Sequence, residues 1–132
     1  MPPKPPKKAA PRGPYFASVA VLVSDPKRSL AWYTEKLGLD VIDHESHWIT
    51  VGRKGQHGKL HLCQYSEAGD NVGLEPGNSG ILLLLPGQDF TASCSELERR
   101  GVEFTQLPKT ESWGTYATVR DPDGNEHVLM PE

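Results

Sequence analysis

The chain has 132 residues, of which 36% are hydrophobic and 23% charged, a length that allows one domain with one shared core. Apolar runs such as residues 81–85 (ILLLL) fall far short of the roughly 20 residues of a membrane-spanning helix, so no membrane partner is expected. Two cysteines, Cys63 and Cys94, are too few for a disulfide framework and form no CxxC pair, which points to a reducing cytoplasm and leaves stability to the core.

Residues 1–14 (MPPKPPKKAAPRGP) hold six of the 12 prolines and four of the 14 basic residues, with no acid. Proline lacks a backbone donor and clashes with the preceding turn, so this stretch reads as a disordered leader. It has no apolar segment of the secretory kind; its alternative use is a polyproline or basic docking arm. The remainder carries ten basic against 17 acidic residues, a net charge of −7. Nucleic acid is therefore not an expected partner, because phosphate neutralisation needs a surplus of Lys and Arg.

From Tyr15 onward the patterning turns globular. Residues 16–23 (FASVAVLV) are small and β-branched, as in a buried strand. Asp25 then offers a helix cap and Pro26 fits the first helical position. Leu30, Tyr33 and Leu37 recur at helical spacing, and Gly38 can end the helix. Residues 39–44, 47–51 and 59–65 are short strand candidates separated by turn-prone segments.

After a loop at residues 66–79 the same order returns. Residues 81–85 read as a strand, Asp89 caps a helix carrying Phe90, Cys94 and Leu97 on one face, and Gly101 ends it. Residues 102–107, 115–120 and 126–130 follow as strands, the last two joined by Asp121-Pro122-Asp123-Gly124-Asn125, a tight-turn sequence. Both halves thus read strand, helix, strand, strand, strand, an internal repeat carried by punctuation rather than by identity.

Residues 24–39 (SDPKRSLAWYTEKLGL), with a strand before them and a second copy after, resemble the opening of the vicinal oxygen chelate superfamily, the glyoxalase I, bleomycin-resistance and extradiol-dioxygenase group. Trp113-Gly114 and residues 120–130 (RDPDGNEHVLM) resemble its closing signature. The resemblance covers residues 15–131. It implies an α+β fold in which two βαβββ modules, residues 15–66 and 79–132 with a linker at 67–78, form a curled mixed sheet around a central cleft within one domain, residues 15–132. By the same analogy a homodimer is expected. The fold hosts isomerases, thiol transferases, dioxygenases and non-catalytic drug binders that give antibiotic resistance, so chemistry has to be read from the cleft.

In metal-dependent members the ligands come from the first and last strands of each module, and the resemblance places the four positions at Ser18, His61, Gly80 and Val128. Only His61 among them is a credible ligand, and Glu126, on the face of Val128, is the one further candidate. A catalytic metal needs about three protein ligands and an open position. No metal or other cofactor is therefore expected, a bound divalent metal being the alternative. A one-residue shift that brought in His127 would turn its neighbours to the wrong face, so His127 reads as pointing away from the cleft.

Alternation points Ser18, Ala20, His61, Cys63, Val128 and Met130 into the cleft, bordered by Trp48, Trp113 and Tyr116. This list, with Glu126 at the mouth, is apolar and aromatic with a few polar groups, as in a small-molecule pocket. Trp48 and Trp113 can stack on a planar or cationic ligand or simply pack. His61 can hydrogen-bond a ligand, act as a base, or be a strand histidine paired across the sheet. Cys63 reads as a small hydrophobe. His44, His47 and His57 read as loop histidines, and Arg99-Arg100 as a solvated helix end. No catalytic residue is assigned. The reading is a protein that binds a small organic molecule, apolar or aromatic, and sequesters it. The alternatives are a metal-dependent glyoxalase-like lyase or extradiol-dioxygenase-like enzyme, and a non-catalytic partner-binding module.

Overall fold

A computed structural model of the chain describes residues 17–45, 48–64, 76–77 and 79–132. The basic leader and most of the linker lie outside the described residues. Strand β1 (Val19–Val23) leads into Asp25, whose carboxylate accepts from the Lys27 N–H at 3.0 Å and the Arg28 N–H at 3.4 Å. Helix α1 (Pro26–Ala31) starts on that cap with Pro26 in its first turn. It then widens into a π-helical turn (Trp32–Lys36), closed by the Leu37 N–H donating to the Trp32 carbonyl at 2.9 Å. The extra residue of a π turn slips the later positions around the axis. Ser29, Trp32 and Tyr33, at ordinary i, i+3, i+4 spacing before the slip, are buried, while Leu30 and Leu37 are only partly so, a departure from the regular Leu30, Tyr33, Leu37 stripe.

Strands β2 (Asp40–Glu45), β3 (Trp48–Gly52) and β4 (Lys59–Gln64) complete the first sheet, in the order β1-β4-β3-β2. The second half repeats it. Strand β5 (Leu82–Leu85) is followed by α2 (Phe90–Arg99), which Asp89 caps by accepting from the Ala92 N–H at 3.0 Å. Strands β6 (Glu103–Glu111), β7 (Gly114–Arg120) and β8 (Glu126–Pro131) then give the order β5-β8-β7-β6. In each sheet the first strand pairs in parallel with the last, and the other pairs are antiparallel. Strand β6 runs four residues beyond the predicted end, past two irregularities in its pairing with β7.

One core joins the halves. Val21, Val23, Ile49, Val51, Leu60 and Leu62 from the first sheet meet Trp32 and Tyr33, and the same cluster takes in Cys94, Leu97, Val102, Ala117, Val119 and Leu129 from the second half. Polar contacts from the β7–β8 turn fasten it. Tyr33 Oη donates to Asp121 Oδ2 at 2.7 Å, Ser24 Oγ donates to Asp123 Oδ1 at 2.6 Å, and Asn125 Nδ2 donates to the Leu22 carbonyl at 3.3 Å. Two modules too small to be stable singly are thus cross-braced by buried, satisfied groups. Among the described residues no helix is long and apolar enough to cross a membrane.

Candidate ligand-binding face

In the first sheet Val21, Leu60, Leu62, Ile49 and Val51 enter the core, so their neighbours along each strand face the other way. Register aligns that second face into a row: Ala20 pairs with His61, His61 with Thr50, and Thr50 with Asp43. Thr50 Oγ1 donates to Asp43 Oδ2 at 2.7 Å. The indole of Trp48 stacks on the His61 ring, centroids 3.9 Å apart and planes 21° from parallel. It leaves His61 9% exposed while itself remaining 53% exposed. His61 Nδ1 lies 3.2 Å from the Ile49 carbonyl, which can only accept, so Nδ1 carries the proton and Nε2 is left as an acceptor. His61 is therefore both things its position allowed: tied to the neighbouring strand through one nitrogen, and offering the other.

The corresponding face of the second sheet is aliphatic. Leu82 pairs with Val128, Val128 with Thr118, and Thr118 with Gln106. Leu82 and Leu84 are 59% and 60% exposed. Trp113, in the β6–β7 turn, is 60% exposed and lies 5.0 Å from Tyr116, centroid to centroid. Met130 reaches the same turn, its Cε 3.4 Å from where a Cβ on Gly114 would stand.

The structure thus gathers Trp48 with His61, and Trp113 with Tyr116 and Met130. Val128 lies in the Leu82 row, and Cys63 lies opposite Leu22 on the His61 face. Ser18 precedes β1, partly buried and outside any strand. Glu126 is exposed, and Arg120 Nη2 donates to its Oε1 at 3.4 Å. No ring contact among the described residues joins one aromatic pair to the other. The face is open to solvent. The cavities described lie elsewhere: one of about 420 Å³ between α1 with its π turn and the ends of β6 and β7, and one of about 340 Å³ between α2 and β6.

The donor set does not fit the metal that the fold's enzymes use. Val128 has no donor, and Gly80 is glycine for a steric reason: a Cβ there would collide with the Glu126 carbonyl oxygen. No group of three His, Cys, Asp or Glu able to hold an ion exists among the described residues. His44 lies in β2 rather than in a loop, and His57 is exposed in the β3–β4 turn; His47 lies outside the described residues. His127 is fully buried on the core side, against Tyr33. Cys94 is buried and its thiol is pushed up to about 11 by burial, which leaves it unreactive at neutral pH.

Residues that sequence reasoning left out are Thr50, Asp43, Leu82, Leu84 and the polar brace of Tyr33, Asp121 and Asn125. Strict alternation from Trp48 would have found Thr50, and alternation from Gly80 would have found Leu82 and Leu84. The brace had no local signal, since its partners lie 88 to 103 positions apart.

The family model of the Glyoxalase/Bleomycin resistance protein/Dioxygenase superfamily matches residues 15–129. YetH, an uncharacterized protein of Bacillus subtilis (strain 168), is 32% identical over 119 residues, covering 86% of this chain and 95% of the relative. Among solved structures, TnmS3, an antibiotic binding protein from Streptomyces sp. CB03234, aligns with a TM-score of 0.76 and 29% identity over 92% of this chain and 98% of its own. A member of the superfamily from Sphaerobacter thermophilus DSM 20745 aligns with a TM-score of 0.71 and 29% identity, over 90% and 98% of the two chains. With its repeated βαβββ order and a matching family model across nearly its whole length, this chain belongs to the Glyoxalase/Bleomycin resistance protein/Dioxygenase superfamily.

Proposed function

We propose that this chain binds an apolar, aromatic small molecule on the open face and sequesters it, with no bond made or broken. One observation carries the reading: Trp48 and Trp113, each against a second ring, and the leucines Leu82 and Leu84 stand more than half exposed on the faces turned away from the core. Apolar surface of this kind on a small protein marks a binding site. Stacking on Trp48 or Trp113 contributes about 0.5–1.5 kcal/mol beyond area burial. The similarity to the antibiotic-binding TnmS3 supports the ligand class. The lack of fit of Ser18, Gly80 and Val128 to a metal favours binding over metal-dependent lysis or oxygenation.

The same exposure supports a second proposal, that two copies pair and enclose these faces. A closed site then needs both subunits, which accounts for the open face of one chain. Tryptophan fluorescence titrated with a panel of planar aromatic antibiotics tests the first proposal. Saturable quenching at micromolar ligand is expected, and no response to any of them overturns it. Metal analysis of chain purified without chelators is the independent check, where stoichiometric Fe, Mn, Ni or Zn would restore the enzymatic reading. Light scattering after size exclusion gives the dimer mass or refutes it.

A further inference from the structure

Ile81, the residue before β5, is held by β8 at both ends. Its carbonyl accepts from the Val128 N–H at 2.8 Å, and its own N–H points at His127 Nδ1 at 3.3 Å. An amide N–H only donates, so Nδ1 carries a lone pair and the imidazole proton sits on Nε2. Nε2 is 2.7 Å from Tyr33 Oη, which is itself 2.7 Å from Asp121 Oδ2. Every proton is then assigned: Ile81 N–H to His127, His127 Nε2–H to Tyr33, Tyr33 O–H to Asp121. Asp121 remains the terminal acceptor, taking Asp123 and Asn125 amides on Oδ1 and the Asn125 side chain on Oδ2.

This chain of bonds has room for a neutral imidazole only. A proton added at Nδ1 would meet the Ile81 N–H head-on. The groups facing the ring are Tyr33 and the Trp32 indole from the π turn, the latter with centroids 6.5 Å away, and Asp121 from the β7–β8 turn, whose neighbour Asp123 is paired with Arg28. Burial holds the imidazole below its ordinary range, against a smaller opposing pull from Asp121. Strand β5 has no neighbour but β8, being at the sheet's edge, and it carries the exposed Leu82 and Leu84.

We infer that His127 is a positioning residue: in its neutral Nε2–H form it latches the entry of β5, and with it the leucine wall of the open face, and the latch releases when His127 is protonated. The inference goes beyond the proposed ligand binding and holds whether or not a ligand binds.

The test uses the native, full-length, ¹⁵N-labelled chain without ligand. Imidazole ¹⁵N shifts at pH 7.5 are expected to report the Nε2–H tautomer for His127. Amide exchange, corrected for its intrinsic pH dependence, is expected to lose up to about tenfold protection per pH unit at Ile81 and Leu82–Leu85 as the pH falls from ~6.5 toward the lowered value of folded His127. Protection at Ala117 and Val119 in β7 stays constant over the same range. The variant His127→Gln keeps an acceptor for Ile81 and a donor for Tyr33 but cannot titrate, so its β5 protection is expected to be flat with pH. An Nδ1–H tautomer, parallel loss in β5 and β7, or the native pH dependence in the Gln variant overturns the inference. Should that variant not fold, the tautomer and the exchange pattern of the native chain decide alone.

Discussion

The row Ala20, His61, Thr50, Asp43 crosses the first sheet, and the row Leu82, Val128, Thr118, Gln106 crosses the second at equivalent strands. Threonine recurs, but where the first row has an imidazole and a carboxylate the second has an isopropyl group and an amide. At the two ligand positions of the second module, Gly80 and Val128, no side-chain donor is present. The repeat has kept its backbone and parted in its side chains. What remains across the two faces is a polar, histidine-bearing patch under Trp48 and an aliphatic wall beside Trp113, suited to a molecule with one polar edge and a broad apolar body.

The sharpest way to break the comparison is at Ser18 and Gly80, which stand two residues before Ala20 and Leu82. A Cβ at Gly80 meets the Glu126 carbonyl oxygen, whereas Ser18 already carries one. Gly80→Ala is expected to destabilise the fold by about 2–4 kcal/mol, the range of backbone-level overpacking, while Ser18→Ala changes it by less than about 0.5 kcal/mol. Urea unfolding of the two variants measures the difference, and equal stabilities would show that the second module has room for a side chain after all.

Next in size is Asn125→Ala. Asn125 Oδ1 accepts from the Gly77 and Ser79 amides, and Nδ2 donates to Leu22 and Asp121. At the β3–β4 turn of the first module the matching contacts are exposed: Asp40 Oδ2 accepts from the Lys54 N–H and from Arg53. Stranding several buried groups is expected to cost about 2–3 kcal/mol, read as a lower denaturation midpoint at unchanged slope.

The pH dependence of stability reads His127. Unfolded histidine titrates near 6.5, and the folded His127 lies below that because it is buried. Its contribution is therefore complete above pH ~6.5 and falls as the pH drops toward the folded value, by up to about 1.4 kcal/mol per unit. Subtracting the profile of His127→Gln from that of the native chain isolates this slope. A difference that is flat from pH 7.5 to 5 would contradict it.

How much of this was legible beforehand divides along the same line between near and far. Strand order, both caps and both helix-ending glycines were readable because they are local: Asp25 and Asp89 bond to amides two or three residues on. That His61, Cys63, Val128 and Met130 alternate with core-facing neighbours was readable from strand periodicity. The π turn was not, since nothing in Trp-Tyr-Thr-Glu-Lys distinguishes it from an α-helical turn. Nor was the reason for Gly80, which depends on a carbonyl 46 residues further along, at Glu126.

The smallest predicted effect bears most directly on function. Trp48 stacks on a histidine and Trp113 leans on a tyrosine, so the two exposed tryptophans offer a ligand different surroundings, while Trp32 is buried and insensitive to it. Replacing either exposed indole by alanine is expected to cost about 1 kcal/mol of affinity for a planar aromatic antibiotic, roughly fivefold in Kd. Trp48→Ala also uncovers His61, on which the indole is stacked. Comparing the two variants by fluorescence quenching decides whether the modules share the ligand. A loss confined to one tryptophan would place the ligand on that module alone and reduce the other face to an interface.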